Sequence, residues 1–155
     1  MSALHASAVI GSRGRLVGLA VSACLVVACA APAPSDSAPP TDGLREVQVE
    51  LTDGLRMKPD QLEVSAGETV RFVVTNAGSI DHEFFIGDEI AQEAHAVEMA
   101  GTGGRLQDSA NGVGLKPRTR ESLVFTFDQA GSVIVGCHLP GHYQAGMKAT
   151  IAIAP

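Results

Sequence analysis

The chain has 155 residues, 45% of them hydrophobic, and a formal net charge of −6, enough for one ordinary packed domain with appendages. That acidic balance leaves no basic stripe able to neutralise phosphates, so nucleic acid is not an expected partner. It favours cationic partners instead, whose docking an acidic surface accelerates in a salt-dependent way.

The chain begins with His5, Arg13 and Arg15, and then Leu16 to Ala28 forms a short apolar run ending in Val-Val-Ala-Cys29. The run is about 13 residues long and a bilayer takes roughly 20, so residues 1–28 read as a cleaved export signal. A small residue before a cysteine, with aliphatic residues two and three back, resembles the bacterial lipobox. That resemblance implies cleavage before Cys29 and lipidation of its sulfur. Val21-Ser-Ala-Cys24 fits the same pattern but leaves an apolar core of only about eight residues, so Cys29 is the expected site. Residues 29–43 are rich in Ala, Pro and Ser. They cannot bury enough apolar surface to fold, and read as a tether between lipid and domain. Loss of residues 1–28 removes Arg13 and Arg15 but no acid, leaving 9 Lys+Arg against 17 Asp+Glu. Cys24 leaves with the signal and Cys29 takes the lipid, so the domain at 44–155 keeps only Cys137 and forms no internal disulfide.

From Leu44 onward the dominant period is two, the pattern of half-buried strands. Val47, Val49 and Leu51 alternate with Glu46, Gln48 and Glu50. Leu62 with Val64 and then Val70, Phe72 and Val74 predict the next two strands, with turns at Ser65-Ala66-Gly67 and after Asn76. His82 to Ile86 predicts a short strand. So do Leu123, Phe125 and Phe127, then Ser132 to Cys137, and finally Lys148 to Ile153. Seven or so short strands with Gly, Pro, Asn and Asp turns predict an all-β, antiparallel sandwich of two sheets. Asp88 to Pro117 is too long for a structureless loop. Ile90, Ala94 and Val97 at i, i+4 and i+7 predict a helix over 88–99, packed by that face, and five glycines between 101 and 114 predict a mobile loop back to the strands.

Near the C-terminus runs Cys137-His-Leu-Pro-Gly-His142-Tyr-Gln-Ala-Gly-Met147. Thiolate, imidazole and thioether suit copper that cycles between Cu(I) and Cu(II), which asks for two imidazoles and a thiolate near one plane with a weak axial thioether. Cys137 ends one strand and Met147 opens the next, so the nine-residue connection can gather Cys137, His142 and Met147 around one point. His82 opens a strand whose end shares the same rim. Zinc could use His82, Cys137 and His142 but gains little from a thioether. His138 is turned away by strand alternation and is assigned no ligand role. His95 and Met99, at i and i+4, share a helix face opposite Ile90, Ala94 and Val97 and form a candidate auxiliary copper site if exposed.

The pattern H…C-x-x-x-x-H-x-x-x-x-M in an exported strand-rich domain resembles the cupredoxins, the blue copper proteins, and its ligand loop is most similar to those of rusticyanin and auracyanin. The resemblance covers roughly residues 44–155 and implies a Greek-key sandwich holding one copper at its rim, with His82, Cys137 and His142 equatorial and Met147 axial. Azurin and plastocyanin place Asn directly after the upstream His, where this chain has Glu83, which leaves open what pins the ligand loop. The expected function is one-electron transfer by an exported, lipid-anchored monomer on the outer face of a bacterial membrane. Its redox partner would dock transiently at an apolar patch of Leu139, Pro140 and Tyr143 around the edge of His142. Sequestration or delivery of copper is the alternative. An enzyme is not expected: the paired His-x-His sequences of multicopper oxidases are missing, and a dinuclear centre would need a second cysteine in the loop.

Overall fold

The structure, a computed structural model, describes residues 43–155. The export signal, Cys29 and almost all of the tether lie outside the described residues. Among the described residues nine strands and one helix follow in order: β1 (Arg45–Thr52), β2 (Arg56–Lys58), β3 (Gln61–Ser65), β4 (Glu68–Asn76), β5 (His82–Gly87), α1 (Glu89–Thr102), β6 (Gly112–Leu115), β7 (Arg120–Phe127), β8 (Gly131–Gly136) and β9 (Lys148–Ala154). They form a four-stranded sheet in the order β2-β1-β4-β7 and a five-stranded sheet in the order β3-β9-β8-β5-β6.

Alternation builds both inner faces. In β9 every second residue, Ala149, Ile151 and Ile153, is buried, while the residues between are exposed. The same period turns Val49 and Leu51, and then Val70, Phe72 and Val74, into the space between the sheets. Phe72 lies at its centre, its ring 5.4 Å from Phe84 and 6.2 Å from Phe127. β5 is buried along its whole length, because β8 and β6 flank it and α1 packs over it.

The Greek-key sandwich matches the expectation, with one refinement of pairing. β1 runs parallel to β4 and β3 parallel to β9, so both sheets are mixed rather than wholly antiparallel. The chain passes to the second sheet between β2 and β3 and returns between β3 and β4, so β4 comes to lie beside β1 in the same direction. Alternation reports which face is buried and carries nothing about the direction of the neighbour.

Two further expectations are corrected. The glycine-rich return is in part a strand: β6 pairs with β5 in the register His82↔Leu115 to Phe85↔Gly112. Glycine is required at 114 because a side chain there would meet the Cβ of Leu106 at 2.8 Å. The helix forms as expected, capped by the Asp88 carboxylate on the Ala91 amide and ended by Gly103 in the left-handed region. Its orientation is the reverse of the expected one. Ile90 and Val97 are 78% and 70% exposed and Ala94 is exposed too, whereas Gln92, His95 and Met99 are buried. Polar side chains that find partners inside outweighed the weak apolar stripe. Replacement of Met99, 1% exposed within the core cluster, by alanine should cost about 2–5 kcal/mol. Ile90→Ala should change stability by less than about 0.5 kcal/mol, and urea unfolding of the two variants checks the facing of the helix.

Candidate metal centre

Three adjacent strands of the second sheet bring the donors together. Phe85 pairs with Gly136 and Gly136 with Lys148, so the first residue of β5, the residue after β8 and the residue before β9 meet at one rim. These are His82, Cys137 and Met147. His142 arrives from the loop between Cys137 and Met147. That loop closes through its own backbone: the His142 amide donates to the Leu139 carbonyl at 3.0 Å, Met147 to His142 at 3.0 Å, and Cys137 to Met147 at 3.2 Å.

One ligand atom from each of His82, Cys137 and His142 falls within 4.8 Å of the others. The Sγ of Cys137 is 3.3 Å from Nδ1 of His142, and the two imidazole rings lie 5.3 Å apart, tilted by 56°. Cys137 and Met147 are fully buried, as is His82, while His142 is half-buried. The Met147 side chain belongs to the core cluster at this rim.

His82 tests whether these residues suit a metal. Both of its ring nitrogens are buried with no hydrogen-bond partner, and the nearest carboxylate, that of Asp53, is 3.8 Å from Nε2, beyond hydrogen-bond reach. A buried imidazole without a partner is costly. One beside a buried thiol and a second imidazole is a donor set without its acceptor, and soft sulfur with two nitrogens matches copper.

The segment leading into His82 is fastened from several sides. Asn76, fully buried, donates through Nδ2 to the carbonyls of Ile80, Lys116 and Leu115 at 2.8, 3.0 and 3.2 Å, and accepts from the Gly78 amide. Asp53 accepts from the Ser79 hydroxyl at 2.6 Å and the Ser79 amide at 2.8 Å, and these bonds hold its carboxyl below the usual range. Sequence reasoning took Asn76 only as a turn signal. Its side chain is what holds the turn.

Glu83, 1% exposed, answers what pins the ligand loop. Its Oε2 accepts from the His138 amide at 3.0 Å, and its own amide donates to the Cys137 sulfur at 3.3 Å. Its Oε1 lies 2.8 Å from Nε2 of His95. The expected exposed pair of His95 and Met99 is therefore corrected: both point inward, His95 stacking on Phe85 at 3.8 Å and Met99 joining the core. His138, outside the donor group as expected, sits 2.7 Å from Gln92 Oε1 and stacks on Tyr143. Gln92 went unnoticed in the sequence. The spacing Gln92, His95, Met99 at i, i+3 and i+7 is the signal that marks its face.

Burial raises the Cys137 thiol to about 11, the hydrogen bonds to its sulfur opposing this. Burial lowers His82 and His142, and lowers His138 to about 4 with help from the nearby His95. Groups depressed in the folded state stay neutral there while the unfolded chain binds their protons first. The metal-free protein should thus hold full stability above the ordinary histidine value of 6.5 and lose it as pH falls toward 4. At the alkaline end, stability should decline from pH 9 through about 11 as the unfolded thiol ionises. Urea midpoints of metal-free protein across this range check both limbs, and a midpoint flat between pH 7 and 5 would contradict neutral buried imidazoles.

Residues 45–154 match the family described as copper binding proteins, plastocyanin/azurin family. Among curated proteins, the chain is 36% identical over 109 residues to the "copper-resistant cuproprotein CopI" of Rubrivivax gelatinosus, covering 70% of this chain and 66% of that protein. It is 34% identical over 140 residues to the protein of the same name from Pseudomonas aeruginosa, covering 72% and 77%. Among solved structures, the dithionite-reduced auracyanin of Roseiflexus castenholzii superposes with a TM-score of 0.64 at 23% identity, over 71% of this chain and 97% of that one, a likeness of fold. With the donor set at the rim and the match along nearly all of the described sandwich, the chain belongs to the plastocyanin/azurin family of copper binding proteins, the cupredoxins.

Proposed function

We propose that this protein is a one-electron carrier with a single type 1 copper held by His82, Cys137 and His142, with Met147 as the weak axial donor. The observation that carries this reading is the enclosure of the donors: three are fully buried and only His142 is half-buried. A bound copper supplies a Cu(II)/Cu(I) couple there, and the protein supplies geometry that need not rearrange between the two states. Turns of the loop and the side chains of Asn76, Asp53 and Glu83 fix the donors. Core packing keeps water from the sulfur of Cys137. The partly open edge of His142 is the port for the electron. Pro140 and Tyr143 flank it at the surface, while Leu139 is buried and supports the patch from beneath. The acidic composition of the domain favours a cationic partner in brief encounters. On this reading the protein is not an enzyme.

A second reading, copper handling in tolerance, is supported by the name that the relatives share, copper-resistant cuproprotein. Copper-loaded protein separates the two. Carriage of electrons predicts one copper per chain, fast self-exchange, and an intense visible thiolate-to-copper band that Cys137→Ser abolishes. Slow self-exchange with more than one copper per chain would favour handling, and a single equivalent without the visible band would sink the type 1 assignment.

The same proposal places the domain outside the cytoplasm on a lipid carried by Cys29, from the apolar run and lipobox pattern at 16–29. Cells grown with labelled fatty acid should label the full chain, and Cys29→Ala should remove the label and release the protein from membranes.

A further inference from the structure

The helix α1 lies outside the donor set, yet it reaches two of the three strands that position the donors, β5 and β8, and the loop between β8 and β9. His95 Nε2 stands 2.8 Å from the Glu83 carboxylate. Gln92 donates through Nε2 to the Ile134 carbonyl of β8 at 2.8 Å and to the Phe85 carbonyl of β5 at 3.2 Å, while its Oε1 meets His138 Nε2 at 2.7 Å. Just past the helix end, Gly104 packs so closely on the ligand loop that a Cβ there would stand 2.6 Å from Pro140 Cδ.

Glu83 is where these contacts converge on the centre. It follows His82 directly. Its amide donates to the Cys137 sulfur and its carboxylate accepts from the amide after Cys137, so one residue spans both strands of donors. A carboxylate 1% exposed needs partners for both oxygens. One is taken by the His138 amide and the other by His95. His95 in turn is held by its stacking on Phe85, with ring planes 4° from parallel.

We propose that Glu83 and His95 form a buried latch through which α1 sets the geometry of the metal centre, His95 acting as a positioning residue for ligands it does not touch. This rests on the metal-site reading above. The latch restrains the relative placement of His82 and Cys137, and α1 is a structural wall of the centre. Removing either partner leaves the other's polar atom buried without its mate, which loosens the rim rather than the core.

The test uses the copper-loaded protein and four chains: unaltered, Glu83→Ala, Glu83→Gln and His95→Phe. Phenylalanine keeps the stacking on Phe85 and deletes the hydrogen bond to Glu83, together with the longer contact of Nδ1 with the exposed Glu98 at 3.4 Å. Glutamine keeps an oxygen to accept from the His138 amide and loses the charge, while its new NH2 donates to His95 Nε2 once the ring proton sits on Nδ1, which faces the Glu98 carboxylate. Copper release to a chelator should accelerate by about 10- to 100-fold in Glu83→Ala and in His95→Phe, the usual effect of losing a group that orients a ligand. Both variants should shift the electron paramagnetic resonance hyperfine splitting in the same direction, and Glu83→Gln should stay near the unaltered protein. Release and spectra unchanged in folded His95→Phe would overturn the latch, as would Glu83→Gln behaving like Glu83→Ala, which would make charge and not position the cause. If Glu83→Ala does not fold, His95→Phe and Glu83→Gln decide the matter. Absence of a thiolate-to-copper band in the unaltered chain is a different failure, that of the metal-site reading. A further readout needs no metal: in unfolding of the metal-free protein, the effects of Glu83→Ala and His95→Phe, each of which removes the pairing, should be non-additive, and strict additivity would count against a coupled pair.

Discussion

A buried imidazole with nothing to bond is the constraint around which this rim is organised. His82 is fully buried with both nitrogens unpartnered, a state that ordinary packing avoids because it forfeits hydration without return. The fold nevertheless fixes it there. β5 is buried from end to end, Asn76 and Asp53 fasten the approach to it, and the register of β5, β8 and β9 sets the thiol of Cys137 beside it. Binding energy released at such a site adds to the stability of the folded chain, since the unfolded chain offers no assembled donors. Rigidity and affinity thus have one source: the groups that deny His82 a protein partner also hold it in place for a metal.

Two parts of the chain divide this work. The sandwich supplies the rim, through strand ends whose positions follow from a core centred on Phe72, Phe84 and Phe127. The stretch between β5 and β6 supplies a wall. α1 turns Gln92, His95 and Met99 inward and leaves Ile90 and Val97 in solvent, an inversion of the usual amphipathic rule. Polar residues face the sheet because the sheet there offers polar atoms: the carbonyls of Phe85 and Ile134, the carboxylate of Glu83 and the ring of His138. Met99 fills the apolar remainder. The helix is thus docked by matched hydrogen bonds as much as by apolar area, and its sequence looks weakly amphipathic for that reason.

This contrast explains what could be read from the sequence. Strands were legible because the alternation of Val47, Val49 and Leu51, or of Ile151 and Ile153, reports a one-sided burial that the sandwich requires. The gathering of Cys137 and His142 was legible because they lie within one short loop, whose spacing is itself geometric information, and the structure sets the two side chains side by side. Strand direction was not legible, since the same alternation serves β4 whether its neighbour runs with it or against it. Nor was β6: Gly112 and Gly114 signal a loop by composition, and only the presence of Phe85 and Leu106 against them makes glycine the residue a strand needs there. The facing of α1 depended on partners outside the helix, such as Glu83 for His95 and Ile134 for Gln92, which local periodicity does not carry.

Glu83 shows how a different residue can fill an old position. Where azurin and plastocyanin have Asn after the upstream histidine, this chain carries a longer acid, which reaches the amide after Cys137 with one oxygen and has the other left over. A carboxylate so deeply placed would be costly alone, so the substitution makes sense only together with a cationic or donating group opposite the second oxygen. His95 stands there, and it comes from the segment that interrupts the strands. The acid and the helix are therefore best understood as one feature: each supplies what the other would lack, and both reach the strands that carry the fully buried His82 and Cys137.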